Sequence, residues 1–306
     1  MQKKPTVRWD ELVARYDAAL DWLHRMGLNV AGSRFAEGRR VIVEITGKYP
    51  HAGYDRPLVR DPIARKFARC LDDAIEFIHV AEAFERLPRS PMGIKPRLKE
   101  MLGSKEASRG HAFDLLVAAL FETAAYTVDL RETDLWATWP GEPSLAVENR
   151  RVTTGSDLAL AIRTASTQLE RRARSREQVE KVLVIGIGRS NPNDPLVSCT
   201  EGRGAMARES QSRAYDFFNR HREFLGMELG RAEIGALVLV FAATFGAPMK
   251  NDAESWFTVT PYLDMELRPG RKDLEESPFI LNLQRRLSRA VWRLSRDGAQ
   301  ALPTAH

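Results

Sequence analysis

The residues of this sequence that could do chemistry are concentrated between positions 109 and 169, where acids recur close to arginines. Asp114 lies in an apolar stretch, Asp134 opens a short β-rich segment, and Glu148 and Arg150 follow in the next such segment. Carboxylates from separate elements can together hold Mg²⁺, and a neighbouring cation can neutralise charge that builds up on a phosphoryl group. The pattern is typical of phosphodiester hydrolysis.

The stretch that carries Asp114 has the spacing of an amphipathic helix, which we expect over residues 111–125. Its buried stripe would consist of Phe113, Leu116, Val117, Leu120 and Phe121. Asp114 lies on the shoulder of that stripe, where a half-buried carboxylate is costly unless it is paired or metal-bound. The alternative is a surface aspartate near a helix N-terminus, which the helix dipole favours.

Residues 145–150 alternate along the chain with a period of two, which predicts a strand. Glu148 and Arg150 then point to one face, and Asn149 points to the opposite face, where it needs a buried hydrogen-bond partner. The alternative for Glu148 and Arg150 is an exposed ion pair on an edge strand. Asp134 has an alternative too, since it could be a turn residue.

The elements around these residues predict an α/β fold with a mixed central sheet flanked by helices. Short strands are expected at 126–130, 134–139 and 145–148, a long helix from 156 to about 174, and apolar strands at 181–187 and 235–245, with a charged helix between them. The order α-β-β-β-α-β makes residues 106–270 the α/β core. Residues 1–105 predict an N-terminal helical region, although residues 41–46 could equally form a strand.

The final segment, residues 271–306, predicts an amphipathic helix over about 278–296 followed by a tail. Apolar residues share one face of that helix, namely Ile280, Leu283, Leu287, Val291 and Leu294. Arginines form a stripe on another face, namely Arg285, Arg289, Arg293 and Arg296. The stripe is either the solvated side of a docked helix or a surface that contacts phosphates.

Composition narrows the class of protein. At 306 residues the chain can bury a core without disulfides, and its two cysteines, Cys70 and Cys199, are too few for a disulfide framework or a thiolate zinc site. No apolar leader opens the sequence, and the longest apolar run, 234–247, is too short to span a membrane. We therefore expect a cytoplasmic protein outside the membrane. Its net charge of +5 is compatible with nucleic acid.

Other catalytic patterns are missing from the sequence, including a nucleophile elbow, a phosphate-binding loop and a zinc-protease helix. The histidines are scattered without the spacing of metal ligands. His111 is the one nearest to the acidic positions, and its place at a helix start favours a surface role.

The motif positions, taken in order, are Phe113-Asp114-Leu115, Asp134-Leu135, Glu148-Asn149-Arg150-Arg151 and Gln168-Leu169. In order and spacing they resemble the PD-(D/E)XK nuclease superfamily, which has the restriction-endonuclease-like fold. The resemblance implies Mg²⁺ (or Mn²⁺) held by Asp114, Asp134 and Glu148. It further implies catalytic roles for Asp134, Glu148, Arg150 and Gln168, and contacts of Arg109 and Arg151 with nucleic acid, expected to be DNA.

The sequence departs from the family pattern at Arg150, where lysine is usual. A guanidinium does not release its proton at working pH, but it can stabilise charge on a phosphoryl group. Two classes of function therefore stay open. One is a Mg²⁺-dependent DNA endonuclease, acting in defence against foreign DNA or in DNA processing. The other is a degenerate nuclease fold that binds nucleic acid or a partner protein. The N-terminal helical region is a candidate surface for a homodimer or a partner.

Overall fold

A computed structural model describes residues 9–48, 64–87, 90–103, 106–131, 135–151, 155–174, 178–187, 197–198, 203–250 and 255–297. Within them the helices are α1 (Trp9–Arg25), α2 (Arg34–Lys48), α3 (Ala64–Glu85), α4 (Ile94–Met101), α5 (Glu106–Thr123), α6 (Gly155–Ala173), α7 (Arg203–Arg231) and α8 (Pro278–Asp297). The strands are β1 (Thr127–Asp129), β2 (Leu135–Thr138), β3 (Ser144–Arg151), β4 (Val179–Gly186), β5 (Val197–Ser198), β6 (Ala236–Lys250) and β7 (Ser255–Pro269).

The strands form one mixed sheet in the order β1-β2-β3-β4-β6-β5, with β7 paired to β6. β2 is antiparallel to both of its neighbours, β1 and β3, whereas β3, β4 and β6 run parallel. In the register of the central pair, Glu148 lies opposite Leu183. The prediction of an α/β fold with a mixed sheet flanked by helices is thereby confirmed.

The two faces of the sheet are covered by different helices, because successive side chains of a strand point to opposite sides. On one face Val147 and Val182 pack into a core that also contains α5 and α8. On the other face Ala146 and Leu183 pack against α6 and α7. Both faces of the central strands are therefore buried, as their continuous apolar sequences predict.

The N-terminal helices share the first of these cores. Residues 41–46, which could have been a strand, lie within α2, where Val41, Ile42 and Ile45 are buried at helical spacing. Helices α3 and α4 both contact α5. The helical region is thus packed directly onto the element that carries Asp114. Among the described helices, none has the length and apolar character needed to cross a membrane.

Strand β7 was not expected from the sequence. It pairs with β6 along its whole length, from Ser255 opposite Lys250 to Pro269 opposite Ala236. Prolines at positions 261 and 269 speak against a central strand, because proline cannot donate a ladder hydrogen bond. An edge strand tolerates them, and among the described strands β7 pairs with β6 alone.

Candidate active site

The carboxylate of Glu148 is the centre of the candidate site. Glu148 lies near the carboxyl end of β3 and is only 2% exposed, on the face of the sheet that α6 covers. Its Oε1 atom is 2.5 Å from Nη1 of Arg150, and its Oε2 atom accepts a hydrogen bond from Nη2 of Arg172. Both carboxylate oxygens are therefore engaged by guanidinium groups.

Arg172 is a residue of this site that the sequence analysis missed. It is 6% exposed, and its Nη1 atom donates to the Val147 carbonyl at 3.1 Å while Nη2 binds Glu148. On α6 it lies one turn after Gln168, so both residues face β3. The signal that could have found it is that spacing of four from the motif glutamine.

Arg150 and Gln168 are also in contact. Nη2 of Arg150 donates to the side-chain oxygen of Gln168, and Nη1 donates to the Asn149 carbonyl at 2.8 Å. The Arg150 side chain is 27% exposed, in contrast to the buried Arg172. Strand β3 and helix α6 thus form a network in which Glu148 and Gln168 accept from the guanidinium groups of Arg150 and Arg172. Arg150 is the more exposed of these two cations.

The protonation of Glu148 is set by its surroundings. Burial raises the pKa of its carboxyl from 4.5 to about 7, although Arg150 and Arg97 lower it. The Asp114 carboxylate adds to the rise, because two nearby negative charges disfavour ionisation. This influence of Asp114 shows that α5 and β3 bring two acids within electrostatic range of each other.

Asp114 itself belongs to a cluster of charged residues on α4 and α5. His111 Nδ1 lies 3.6 Å from Asp114 Oδ2 and 3.6 Å from Glu100 Oε2. Nη1 of Arg97 lies 3.3 Å from the same Glu100 oxygen. Asp114 raises the pKa of His111, against the opposing effect of partial burial. His111 is therefore partly buried beside Asp114, with its side chain 28% exposed, and it lies five residues into α5.

A close approach between α5 and β4 places Asp114. The ring of Phe113, the preceding residue, packs on Gly186, where a β-carbon would lie 2.8 Å from the ring. Phe113 is 2% exposed, so its ring has little room to move. Glycine at position 186 lets α5 lie against the end of the sheet that carries Glu148.

Other predicted site residues are placed differently. Arg151 Nη2 lies 2.6 Å from both carboxylate oxygens of Glu76 on α3, and its guanidinium stacks over the Phe113 ring at 5.5 Å. Its described contacts are thus internal, and its role in nucleic-acid binding stays a prediction. Arg109 lies within α5. Asp134 lies outside the described residues.

Two further features bear on what the site can bind. Asn149 is buried on the other face of β3, and its Oδ1 lacks a hydrogen-bond partner within the described part of the chain. The buried partner that its orientation demands is therefore not found there.

In the part of the chain that the structure describes, no three histidine, cysteine or acidic residues are grouped so that they could hold a metal ion.

The chain was also compared with known proteins. No protein-family model matches it, and no curated protein matches it significantly. Its function must therefore be argued from the site itself.

Proposed function

We propose that the chain hydrolyses phosphodiester bonds in nucleic acid, as a Mg²⁺-dependent DNA endonuclease with a restriction-endonuclease-like fold. One observation carries the proposal: motif residues on β3 and α6 are in contact around the buried carboxylate of Glu148, and Asp114 on α5 is within electrostatic range of it. Arg150 contacts Glu148 directly, Gln168 contacts Arg150, and Asp114 acts electrostatically on Glu148. The element order α5-β1-β2-β3-α6-β4 agrees with the order expected for such a core.

The acids present fit the chemistry of Mg²⁺. This ion prefers oxygen ligands and is usually held by one or two carboxylates, with water and substrate phosphates completing its shell. Asp114 and Glu148 supply two such carboxylates, and their mutual repulsion favours a cation between them. A group of three ligands is not required. When bound, Mg²⁺ would polarise the scissile phosphate and make a bound water more acidic.

The protein's own residues have separable tasks in this proposal. Arg172 holds Glu148 in place by binding Oε2 and the neighbouring backbone. Arg150, the more exposed guanidinium, would stabilise negative charge on the phosphoryl oxygens through its charge and its geometry. Gln168 orients the Arg150 side chain.

A second candidate function has its own supporting observation. Both oxygens of Glu148 are already paired with guanidinium groups, which compensate its charge without a metal ion. A site of this kind could bind nucleic acid through its arginines without cutting it. This candidate is a nuclease-like binding module.

Cleavage by the purified full-length chain distinguishes the two candidates. Supercoiled plasmid DNA and a labelled RNA are incubated with Mg²⁺, with Mn²⁺ or with a chelator. We expect nicking or linearisation of DNA with either metal and none with the chelator. Glu148→Gln and Asp114→Asn should each slow cleavage by at least about a hundredfold, as expected when an active-site group is lost or misplaced.

The matched control is Glu44→Gln, because Glu44 is an exposed acid on α2, away from the sheet. It should cleave at the rate of the unmodified chain. Binding of DNA without cleavage under any metal condition would support the binding module instead. Absence of both binding and cleavage would reject both candidates, whereas cleavage of RNA alone would reject the DNA assignment.

A further inference from the structure

The C-terminal helix α8 is fixed to the body of the protein by its apolar side. Helix α8 contacts α5 and β7. The residues on this side are almost fully buried, namely Ile280, Leu283, Leu287, Ala290, Val291 and Leu294. An ion pair adds to this docking, since Arg286 binds Glu142 at 2.6 and 2.7 Å and stacks over the Trp139 ring at 3.7 Å. The orientation of α8 on the protein is therefore determined.

The opposite side of α8 combines exposed arginines with an exposed tryptophan. We define the α8 basic face as Arg285, Arg289, Trp292 and Arg293, all of which are exposed, Trp292 to 50%. The sequence of α8 contains no acid before Asp297, its last residue. A half-exposed indole beside several guanidiniums is uncommon on a surface that contacts water alone.

Among the residues that the structure describes, no carboxylate neutralises the arginines of this face. Arg285 donates to the side-chain oxygen of Asn282 at 2.9 Å, and Arg293 donates to the Thr123 carbonyl at 3.5 Å. Across the part of the chain that the structure describes, none of Arg285, Arg289 and Arg293 forms an ion pair with a carboxylate. Their charge remains available to an external anion.

The spacing of these arginines suits a chain of phosphates. Arg285, Arg289 and Arg293 follow one another at intervals of one helical turn, so they extend over about 12 Å of the helix axis. A nucleic-acid strand carries about three to four phosphates over that length. Guanidinium groups bind phosphate oxygens with paired hydrogen bonds, and an exposed indole can stack on a base.

We propose that the α8 basic face binds the sugar-phosphate backbone of nucleic acid and holds it while the candidate site acts on it. This inference rests on the proposed function, to which it adds an accessory substrate surface. An anionic membrane is a poorer occupant, because an amphipathic helix binds a membrane by inserting its apolar side. In α8 that side is buried against α5 and β7.

The position of the face relative to the site sets a length for the bound strand. Arg293 contacts the carbonyl of Thr123, the last residue of α5, and the same helix carries Asp114 near its midpoint. These two points on α5 are about 14 Å apart along the helix axis. That distance corresponds to about four base steps, so oligonucleotides much shorter than this should not gain from the α8 basic face.

The test measures DNA binding as a function of salt concentration. Fluorescence anisotropy with a labelled duplex, in chelator so that nothing is cut, compares the unmodified chain with the triple variant Arg285→Gln, Arg289→Gln, Arg293→Gln. Log affinity falls with log salt concentration, and each lost phosphate contact makes this slope shallower by about 0.9. In the α8 variant we expect the slope to become shallower by about two to three and the affinity at low salt to be at least about tenfold weaker.

The matched control is the triple variant Arg40→Gln, Arg220→Gln, Arg222→Gln, which removes the same charge from exposed positions on α2 and α7. Its slope should change by less than about one. Equal losses in both variants would mean that overall charge, and not this face, governs binding, and an unchanged slope in the α8 variant would overturn the proposal outright. Circular dichroism melting verifies that both variants fold.

Two further outcomes separate this inference from the proposed function. If DNA binding depends on the α8 basic face but no metal supports cleavage, the surface stands and the endonuclease proposal fails. If DNA is cut while the α8 variant binds normally, the surface fails and the endonuclease stands. Phosphatidylserine vesicles serve as a last probe, since loss of vesicle binding with unchanged DNA binding would assign the face to lipid.

Discussion

The guanidinium of Arg172 on α6 forms a buried ion pair with the carboxylate of Glu148 on β3. The two side chains are 6% and 2% exposed, so both charges are almost completely removed from water. Arg150 pairs with the other oxygen of the same carboxylate but is more exposed. The site therefore contains one cation that holds the acid and a second cation that a ligand can reach.

Replacement of Arg172 by leucine should strongly destabilise the protein at pH 8, where Glu148 is ionised. Removing one partner of a buried ion pair typically costs about 3–5 kcal/mol. Because Arg150 still pairs with the other oxygen of Glu148, the loss should lie towards the lower end of that range. Urea unfolding followed by circular dichroism measures this loss. Arg172→Lys should lose less, because an ammonium retains the charge but not the two-pronged contact with Glu148 and Val147.

Arg171→Leu is the control for this experiment, since Arg171 is the exposed neighbour on the same helix. If the two leucine variants are equally stable, the buried pair has no structural importance. The double variant Arg172→Leu, Glu148→Leu should recover much of the lost stability, because it leaves no unpaired charge.

The raised pKa of Glu148 should make stability depend on pH. The folded protein holds this proton more tightly than the unfolded chain, with a pKa of about 7 against 4.5. The stabilisation is therefore fully present below pH 4.5 and is lost as the pH rises through about 7. The difference between the two pKa values corresponds to about 3 kcal/mol. Urea unfolding between pH 4.5 and 8, in chelator, is compared for the unmodified chain and Glu148→Gln. The unfolding free energy of the unmodified chain minus that of the variant should decline by about this amount as the pH rises, because the contributions of other groups cancel in the difference. Parallel curves for the two proteins would contradict the shift.

His79 should have the opposite effect on stability. It is 4% exposed on α3, and neither ring nitrogen has a hydrogen-bond partner among the described residues. Burial lowers its pKa from 6.5 to about 3, and Arg15 and Arg86 contribute to the lowering. The folded state keeps the ring neutral, so its contribution is present above pH 6.5 and is lost as the pH falls from 6.5 towards 3.

His79→Leu tests this expectation. Between pH 6.5 and 5 the unmodified chain should lose about 2 kcal/mol of unfolding free energy that the variant keeps. Leucine should also be tolerated at neutral pH, because it removes two unpartnered polar atoms from the core. His24→Leu, at an exposed position on α1, is the control and should leave the acid sensitivity unchanged.

The arrangement within single elements could be predicted from the sequence. The period of two in β3 correctly places Glu148 and Arg150 on one face, where both meet α6. Helical spacing correctly predicts that the stripe of α5 running from Phe113 to Phe121 is buried, but Leu115, Ala118 and Ala119 are buried as well, so α5 is covered well beyond the predicted stripe. Such patterns depend on the local geometry of the chain, which is the same in every protein.

Contacts between elements could not be predicted in this way. Arg172 lies between Arg171 and Arg174, and only its spacing of four from Gln168 distinguishes it from them. That it binds Glu148 depends on how α6 lies over β3, which the sequence does not show. The same limit applies to His111, which meets Asp114 and Glu100 through the packing of α4 on α5. For residues 41–46, tertiary packing overrides a composition that suits a strand, so they lie in α2.

Arg150→Lys tests whether this site requires an arginine where PD-(D/E)XK nucleases usually have a lysine. Arg150 uses one nitrogen for Glu148 and another for Gln168, and a single ammonium is poorly suited to maintain both contacts. If the endonuclease proposal holds, single-turnover cleavage should slow by roughly tenfold in Arg150→Lys and by roughly a hundredfold or more in Arg150→Gln, which also loses the charge. DNA affinity in chelator should change little, since the loss is confined to the reacting phosphoryl group.

Adding Gln168→Ala to Arg150→Lys should cause no further loss of cleavage rate, because the lysine has already broken the contact between positions 150 and 168. A lysine variant that cleaves as fast as the unmodified chain, or faster, would show that the fork of Arg150 is dispensable and that charge alone is required.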